Sequence, residues 1–158
     1  MSLSFLLWAV PAYVANAAAT LSKFFPRRHP VDFGLHWLDG KRVLGDGKTW
    51  EGLFLGVTAG TIAGYAVFSL FGLSYDPFLI SLGALFGDIV GSFAKRRAGL
   101  PRGAPAPVLD QLDFILGAFM LAGPFGLKET AMIILITPAV HRAANIVGYI
   151  TGLKNEPW

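Results

Sequence analysis

Five apolar runs, each close to the length needed to cross a bilayer, govern what this chain can become. A hydrocarbon core takes about 20 apolar residues per helix, and runs of that kind fall at residues 3–22, 52–73, 76–94, 112–128 and 130–151. They recur along the whole sequence, so neither a signal peptide nor a lone anchor explains them. The expected fold is all-α: a polytopic membrane protein with five transmembrane helices, forming a single domain over residues 1–158. The fourth run is the shortest, because Pro124, Phe125 and Gly126 truncate it, and a half-inserted helix is the second reading there.

The remaining residues sort by side. Loop one carries Lys23, Arg27, Arg28, Lys41, Arg42 and Lys48, loop three carries Lys95, Arg96, Arg97 and Arg102, and the tail adds Lys154, whereas the opposite loops hold only Lys128. Basic residues concentrate in cytosolic loops, which predicts an N-terminus outside, a cytosolic C-terminus and a multi-pass cell-membrane location. The net charge of +3 is therefore assigned to lipid and phosphate rather than to nucleic acid. With no cysteine in the chain, disulfides, thiolate metal sites and cysteine nucleophiles are excluded. The chemistry must use oxygen, nitrogen or a metal held by carboxylates.

Two ladders of small residues, Gly52-Gly56-Gly60-Gly64 and Gly83-Gly87-Gly91, predict close helix packing. They also set Asp88 and Ser92 beside a tight seam. Asp88 lies about 10 Å inside the cytosolic end of its helix, where an ionisable group is costly and read as functional by default. Ser92 and Lys95 follow at i+4 and i+7 on the same face, so a carboxylate, a hydroxyl and a cation form one stripe. Asp110 and Asp113 are spaced i, i+3 at the start of the fourth helix. As a pair they read either as a metal clamp or as a cap with a dipole-matched neighbour. Carboxylates without His or Cys nearby favour Mg²⁺, which commonly arrives with phosphates, so a nucleotide is the natural companion.

Lys95, Arg96 and Arg97 serve as interfacial anchors on one reading and as phosphate ligands on the other. The turn Gly45-Asp46-Gly47-Lys48-Thr49-Trp50-Glu51-Gly52 feeds a helix and offers a cation, a hydroxyl and an aromatic ring to phosphate or base. It is not a P-loop, because Arg42 stands where the first glycine belongs and no strand precedes it. In the last helix His141, Arg142 and Asn145 sit at mid-membrane beside Pro138. They line a lipid groove on one reading and serve as structural elements on the other. Asn16, near Pro11, reads as a packing residue, and His29 and His36 read as interfacial loop residues.

In order and spacing, Lys48-Thr49-Trp50-Glu51-Gly52, Gly87-Asp88, Ser92-x-x-Lys95-Arg96 and Asp110-x-x-Asp113 resemble the phosphatidate cytidylyltransferase superfamily. Bacterial and eukaryotic CDP-diacylglycerol synthases carry Lys-Asp and His-Gly-Gly elements before the Asp pair, where this chain has Pro101, Arg102, Pro105 and Pro107. The short chain and its GDGKTW turn look most like the archaeal branch, the CDP-archaeol synthases. The resemblance implies transfer of CMP from CTP to an ether-linked isoprenoid lipid phosphate, with release of pyrophosphate. It further implies that Asp88, Asp110 and Asp113 hold one or two Mg²⁺ ions and that Lys48, Lys95 and Arg96 grip phosphates. Thr49 and Ser92 would assist, Arg97 would meet the lipid phosphate and Trp50 would stack on cytosine. No general base is needed, because a phosphate monoester with a second pKa of about 6 is already ionised.

The competing classes are a small cation channel or transporter, with Asp88 as a pathway residue, and a membrane scaffold. The first expects acids through the full membrane depth, and the second leaves the three aspartates unexplained. A CDP-alcohol phosphotransferase is excluded, because Asp39-Gly40-Lys41-Arg42 does not supply that class's motif.

Overall fold

The computed structural model describes residues 4–123 and 126–153. Among these the chain is helical, with no strand and only two isolated bridges, Pro30 with Thr49 and His36 with Arg42. The helices are α1 (Ser4–Trp8), α2 (Val10–Ala19), α3 (Trp50–Phe71), α4 (Pro77–Arg97), α5 (Leu109–Ala122) and α6 (Leu127–Ile150), with a 3-10 turn over Thr20–Phe24 extending α2. The first expected helix is divided at Ala9. Pro11 has no N–H to give the carbonyl of Leu7, so the hydrogen-bond ladder is interrupted there. Together α1, α2 and the 3-10 turn still make one apolar segment.

Among the described residues, four segments are long and apolar enough to cross a membrane: Ser4–Phe24, Trp50–Phe71, Pro77–Arg97 and Leu127–Ile150. The fourth expected run differs. α5 has 14 residues, about 21 Å at 1.5 Å per residue, which is short of a hydrocarbon core of about 30 Å. It starts at Leu109, before the expected boundary, and gives way at Gly123, whose φ is +79°. Pro124 and Phe125, two of the three residues assigned to that truncation, and Lys154 of the tail lie outside the described residues.

Local chemistry fixes the ends of the long helices. Thr49 caps α3, its Oγ1 accepting from the N–H of Gly52 at 3.2 Å. Gly72 closes that helix in the left-handed region. Asp76 caps α4 by accepting from Phe78 and Leu79 ahead of Pro77. At the other end of α4, Lys95, Arg96 and Arg97 meet the negative pole of the helix dipole.

The glycine ladders do not pack on each other. On α3, a Cβ at Gly56 would come within 2.7 Å of the Ala15 carbonyl, and one at Gly60 within 2.6 Å of the Pro11 carbonyl and 2.5 Å of Ser81 Oγ. That ladder is therefore the seat of α2 and of the first half of α4. On α4, a Cβ at Gly83 would come within 2.6 Å of the Gly117 carbonyl, while Gly87 and Gly91 lie directly under Asp113. The second ladder is thus the seat of α5. Small residues at these seams let backbones approach closely in lipid.

A buried aromatic layer completes the bundle. Trp8 stacks on Phe119 with ring centroids 4.9 Å apart, and Tyr13 meets Phe114 edge-on at 5.6 Å. The Tyr13 hydroxyl and Thr137 Oγ1, 2.9 Å apart, join α2 to α6.

Candidate active site

Five elements converge at one end of the bundle: the end of helix segment 4–24, the start of α3, the end of α4, the start of α5 and the second half of α6. Between them lies a cavity of about 260 Å³ whose walls include Lys48, Thr49, Asp88, Lys95 and Asp110. Lys48 Nζ stands 2.5 Å from Asp88 Oδ2, and Lys95 Nζ stands 2.5 Å from Asp110 Oδ1. The spacing of Asp88 and Lys95 on α4, two turns apart, lets one helix offer an acid to the α3 turn and a cation to α5.

Asp110 also accepts from the N–H of Ala106 at 2.8 Å. The carboxylate therefore clips the preceding loop rather than capping its own helix. Two residues before it, Val108 holds φ at +73°, a conformation that costs a β-branched residue about 1–3 kcal/mol. The strain sits where the loop must turn inward to bring Asp110 to the cavity.

Asp113 is only 8% exposed. It lies over the glycines flanking Asp88, accepts from the N–H of Phe114 at 2.7 Å, and is within electrostatic reach of Asp88, Asp110 and Lys48. Oxygen donors of this kind suit a hard divalent ion by type. Among the described residues, however, no three His, Asp or Glu side chains stand close enough to enclose a metal. Lys48 and Lys95 balance the charge of Asp88 and Asp110 in this arrangement.

The other predicted residues take different places. Ser92 is buried and Thr49 is committed to its cap. Arg96 donates from Nη2 to the Pro101 carbonyl at 3.3 Å, and among the described residues its buried Nε has no hydrogen-bond partner. Trp50 is 49% exposed and tilts toward Phe33, with ring centroids 6.3 Å apart. Arg97 is taken up by loop one: it pairs with Asp39, donates to the carbonyls of Lys41 and Arg42, and lies 5.0 Å above the Phe93 ring.

That loop is built around Asp32, a residue the sequence reading passes over. Its carboxylate accepts from Arg42 at 2.8 Å and from the N–H groups of Leu44, Gly45 and Gly34. Burial alone would raise its pKa, but the Arg42 hydrogen bond and the three backbone donors outweigh that and hold it well below the usual carboxylate range. The backbone pairs Val31 with Lys48 and Trp50 with His29, at 2.8 and 3.0 Å. The loop is thereby folded so that Lys48 is delivered to Asp88.

Asn16 and Thr20 line the cavity, which corrects the reading of Asn16 as a packing residue. The signal was available: both are polar and lie one turn apart near the polar end of an otherwise apolar helix. His141 and Asn145 line it from α6, and their side chains lie 3.3 Å apart. A second cavity of about 230 Å³ adjoins the first, sharing Pro105, Asp110, His141 and Asn145 and adding Pro107, Gln111 and Arg142.

The same arrangement of segments is found in known proteins. The family described as CarS-like, CDP-archaeol synthase, matches residues 1–158. A CDP-archaeol synthase of Pyrobaculum aerophilum is 45% identical over 161 residues, covering 97% of this chain and 95% of the relative. One from Thermococcus onnurineus is 46% identical over 173 residues and covers both chains fully. A solved structure described as an intramembrane enzyme for archaeal membrane lipids biosynthesis is 42% identical, with a TM-score of 0.78 over 89% of this chain and 92% of that one. With its whole length matched and its polar cavity set among apolar helices, the chain belongs to the CDP-archaeol synthase family.

Proposed function

We propose that the two joined cavities carry out Mg²⁺-dependent transfer of CMP from CTP to the phosphate of an ether-linked isoprenoid glycerol phosphate, yielding a CDP-archaeol-type lipid and pyrophosphate. The observation that carries this reading is the cluster of Asp88, Asp110 and Asp113 with Lys48 and Lys95 at a cavity among apolar helices. Neither a channel nor a scaffold needs three acids and two cations gathered at one end.

An ionised oxygen of the acceptor phosphate attacks the α-phosphorus of CTP. The bond to the α–β bridging oxygen breaks, and its electron pair leaves with pyrophosphate. No proton moves in that step, so the protein's work is alignment and charge stabilisation. Lys48 and Lys95, held by their aspartates, are delivered to the triphosphate, and Arg96, engaged with the Pro101 carbonyl, receives no role there. As they do not enclose an ion on their own, Asp88, Asp110 and Asp113 would hold Mg²⁺ only together with the phosphate oxygens of CTP, and the bound ion would neutralise phosphate charge and favour departure of pyrophosphate. The glycine ladder fixes Asp113 against α4. Asn16 and Thr20 offer neutral hydrogen-bonding groups on the opposite wall. Arg97 and Trp50 receive no role at the reacting atoms.

The reading extends to the whole chain as one domain with five membrane-inserted helices, the N-terminus outside and the site facing the cytosol. The one-sided distribution of Lys and Arg supports that orientation. The test is turnover: purified protein, labelled CTP, Mg²⁺ and a panel of ether- and ester-linked lipid phosphates. CDP-lipid and pyrophosphate are expected in equal amounts, with the ether-linked isoprenoid acceptor preferred. No turnover with any acceptor would overturn the reading.

A further inference from the structure

Arg142 is an anomaly on its helix. α6 is one of the four segments apolar enough to cross a membrane, and the residues that share Arg142's face, Leu135, Ile146 and Tyr149 at helical spacing, are exposed and apolar. Arg142 is exposed too. It lies about 12 Å inside the C-terminal end of α6 at 1.5 Å per residue. A guanidinium at that depth on a lipid-facing stripe is costly unless it meets an anion or a wet cavity. It borders the second cavity.

The protein offers it little negative charge. Among the described residues no ion pair includes Arg142. Asp110 borders the same cavity but is engaged by Lys95 and by the N–H of Ala106. Glu129 lies on the first turn of α6, about 20 Å away along the helix. Among the described residues, then, no carboxylate is left to answer Arg142, which suits it to an anion brought from outside the protein.

Resting on the function proposed above, we infer that the second cavity is the acceptor's site: the lipid phosphate reaches it sideways from the bilayer, between the start of α5 and the second half of α6, and Arg142 binds its phosphate. The guanidinium fork matches a phosphate monoester carrying nearly two charges and binds it by two parallel hydrogen bonds. The shared wall at Asp110, His141, Asn145 and Pro105 then places that phosphate beside the cavity holding Lys48 and Lys95. The nucleotide comes from water and the acceptor from lipid, and the two chambers meet where the bond forms. The prenyl chains would lie along the apolar stripe that Arg142 interrupts.

The test measures binding without turnover. Protein in detergent, without CTP, is titrated with an ether-linked isoprenoid glycerol phosphate, and in parallel with the same lipid ending in a free hydroxyl. Arg142→Gln should weaken binding of the phosphate lipid by about tenfold or more, the scale of a lost charge-assisted contact, and leave the hydroxyl lipid unchanged. Arg142→Lys should recover part of the loss, and both variants should unfold at the wild-type temperature. In turnover, Arg142→Gln should raise the KM for the lipid phosphate and leave that for CTP within about twofold. Equal binding of the phosphate lipid by wild type and Arg142→Gln, equal losses for both lipids, or no binding of the phosphate lipid by wild type would overturn the inference. Wild-type turnover is scored separately: CDP-lipid formation with an unaffected Arg142→Gln leaves the function standing and removes the acceptor site alone.

Discussion

At the level of single residues, the site is a set of opposed charges held at close range. Lys48 with Asp88 and Lys95 with Asp110 are each 2.5 Å apart, and Asp113 sits beneath them with little exposure. Asp113→Asn keeps the shape and the hydrogen bond from Phe114 but replaces a carboxylate oxygen by an amide nitrogen that cannot ligate a hard cation. Cytidylyl transfer should fall by at least about 10²–10³-fold, the scale of losing one preorganised electrostatic group. The unfolding midpoint in detergent should move little, and a variant retaining wild-type turnover would sink the metal-holding role. Asp32 predicts a pH effect of definite sign. Its folded pKa lies below the ordinary carboxylate value of about 3.9, so its contribution is complete above that value and drains away as the pH falls below it. Thermal stability should therefore hold from neutral pH down to about pH 4 and fall beyond it. Asp32→Asn should lower the midpoint at neutral pH, flatten the acid dependence and speed tryptic cleavage after Arg42. An unchanged cleavage rate would remove Asp32 from the centre of the loop. The aspartates of the site were legible in the sequence because an acid inside an apolar run has few structural uses. Asp32 was not, because its burial is created by a loop whose fold depends on pairing Val31 with Lys48, and no periodicity announces that.

At the level of helices, the ladder of small residues on α4 does more than bring two backbones together. Gly87 and Gly91 make the floor on which Asp113 rests, so packing and site share the same atoms. Gly87→Ala would push a methyl into the Asp113 carbonyl, which cannot yield as a flexible side chain can. Overpacking of this kind costs about 1–3 kcal/mol, and activity should drop further than stability because Asp113 is displaced. Gly72→Ala is the comparison: it has open space around it but a φ of +64°, so it should cost about 1–2 kcal/mol with turnover per folded molecule unchanged. Equal activity losses in the two variants would show that the floor is not special. The long helices were legible from hydropathy to within a few residues. α5 was not placed as well, because its start is set by the loop folded back through Asp110 and by the strained Val108, neither of which appears in an apolar window. The partners of the glycine ladders were likewise hidden: spacing reveals a smooth face but not which helix lies on it.

Across the molecule, every charged contact of the cavity lies at the end where the segment 4–24 finishes, α3 begins, α4 finishes, α5 begins and α6 finishes. A chain that alternates in this way puts the α3–α4 turn on the opposite side, and that turn holds no Lys or Arg. If the polar end faces the cytosol, CTP reaches it directly, and the acceptor, embedded in the leaflet, needs to expose only its phosphate. The absence of cysteine makes the orientation simple to test, since each introduced thiol is the only one present. Ser74→Cys, in the α3–α4 turn, should react with a membrane-impermeant maleimide added to intact cells or right-side-out vesicles. Arg28→Cys, in loop one, should stay unlabelled until the membrane is opened. Both thiols belong to exposed positions, so accessibility within the protein does not limit either reaction. The reverse pattern would put the site on the outer face, away from the cytosolic nucleotide pool, and would count against CTP as the donor. Labelling of both thiols from one side would instead break the alternation of the long helices on which the convergence of the five elements depends.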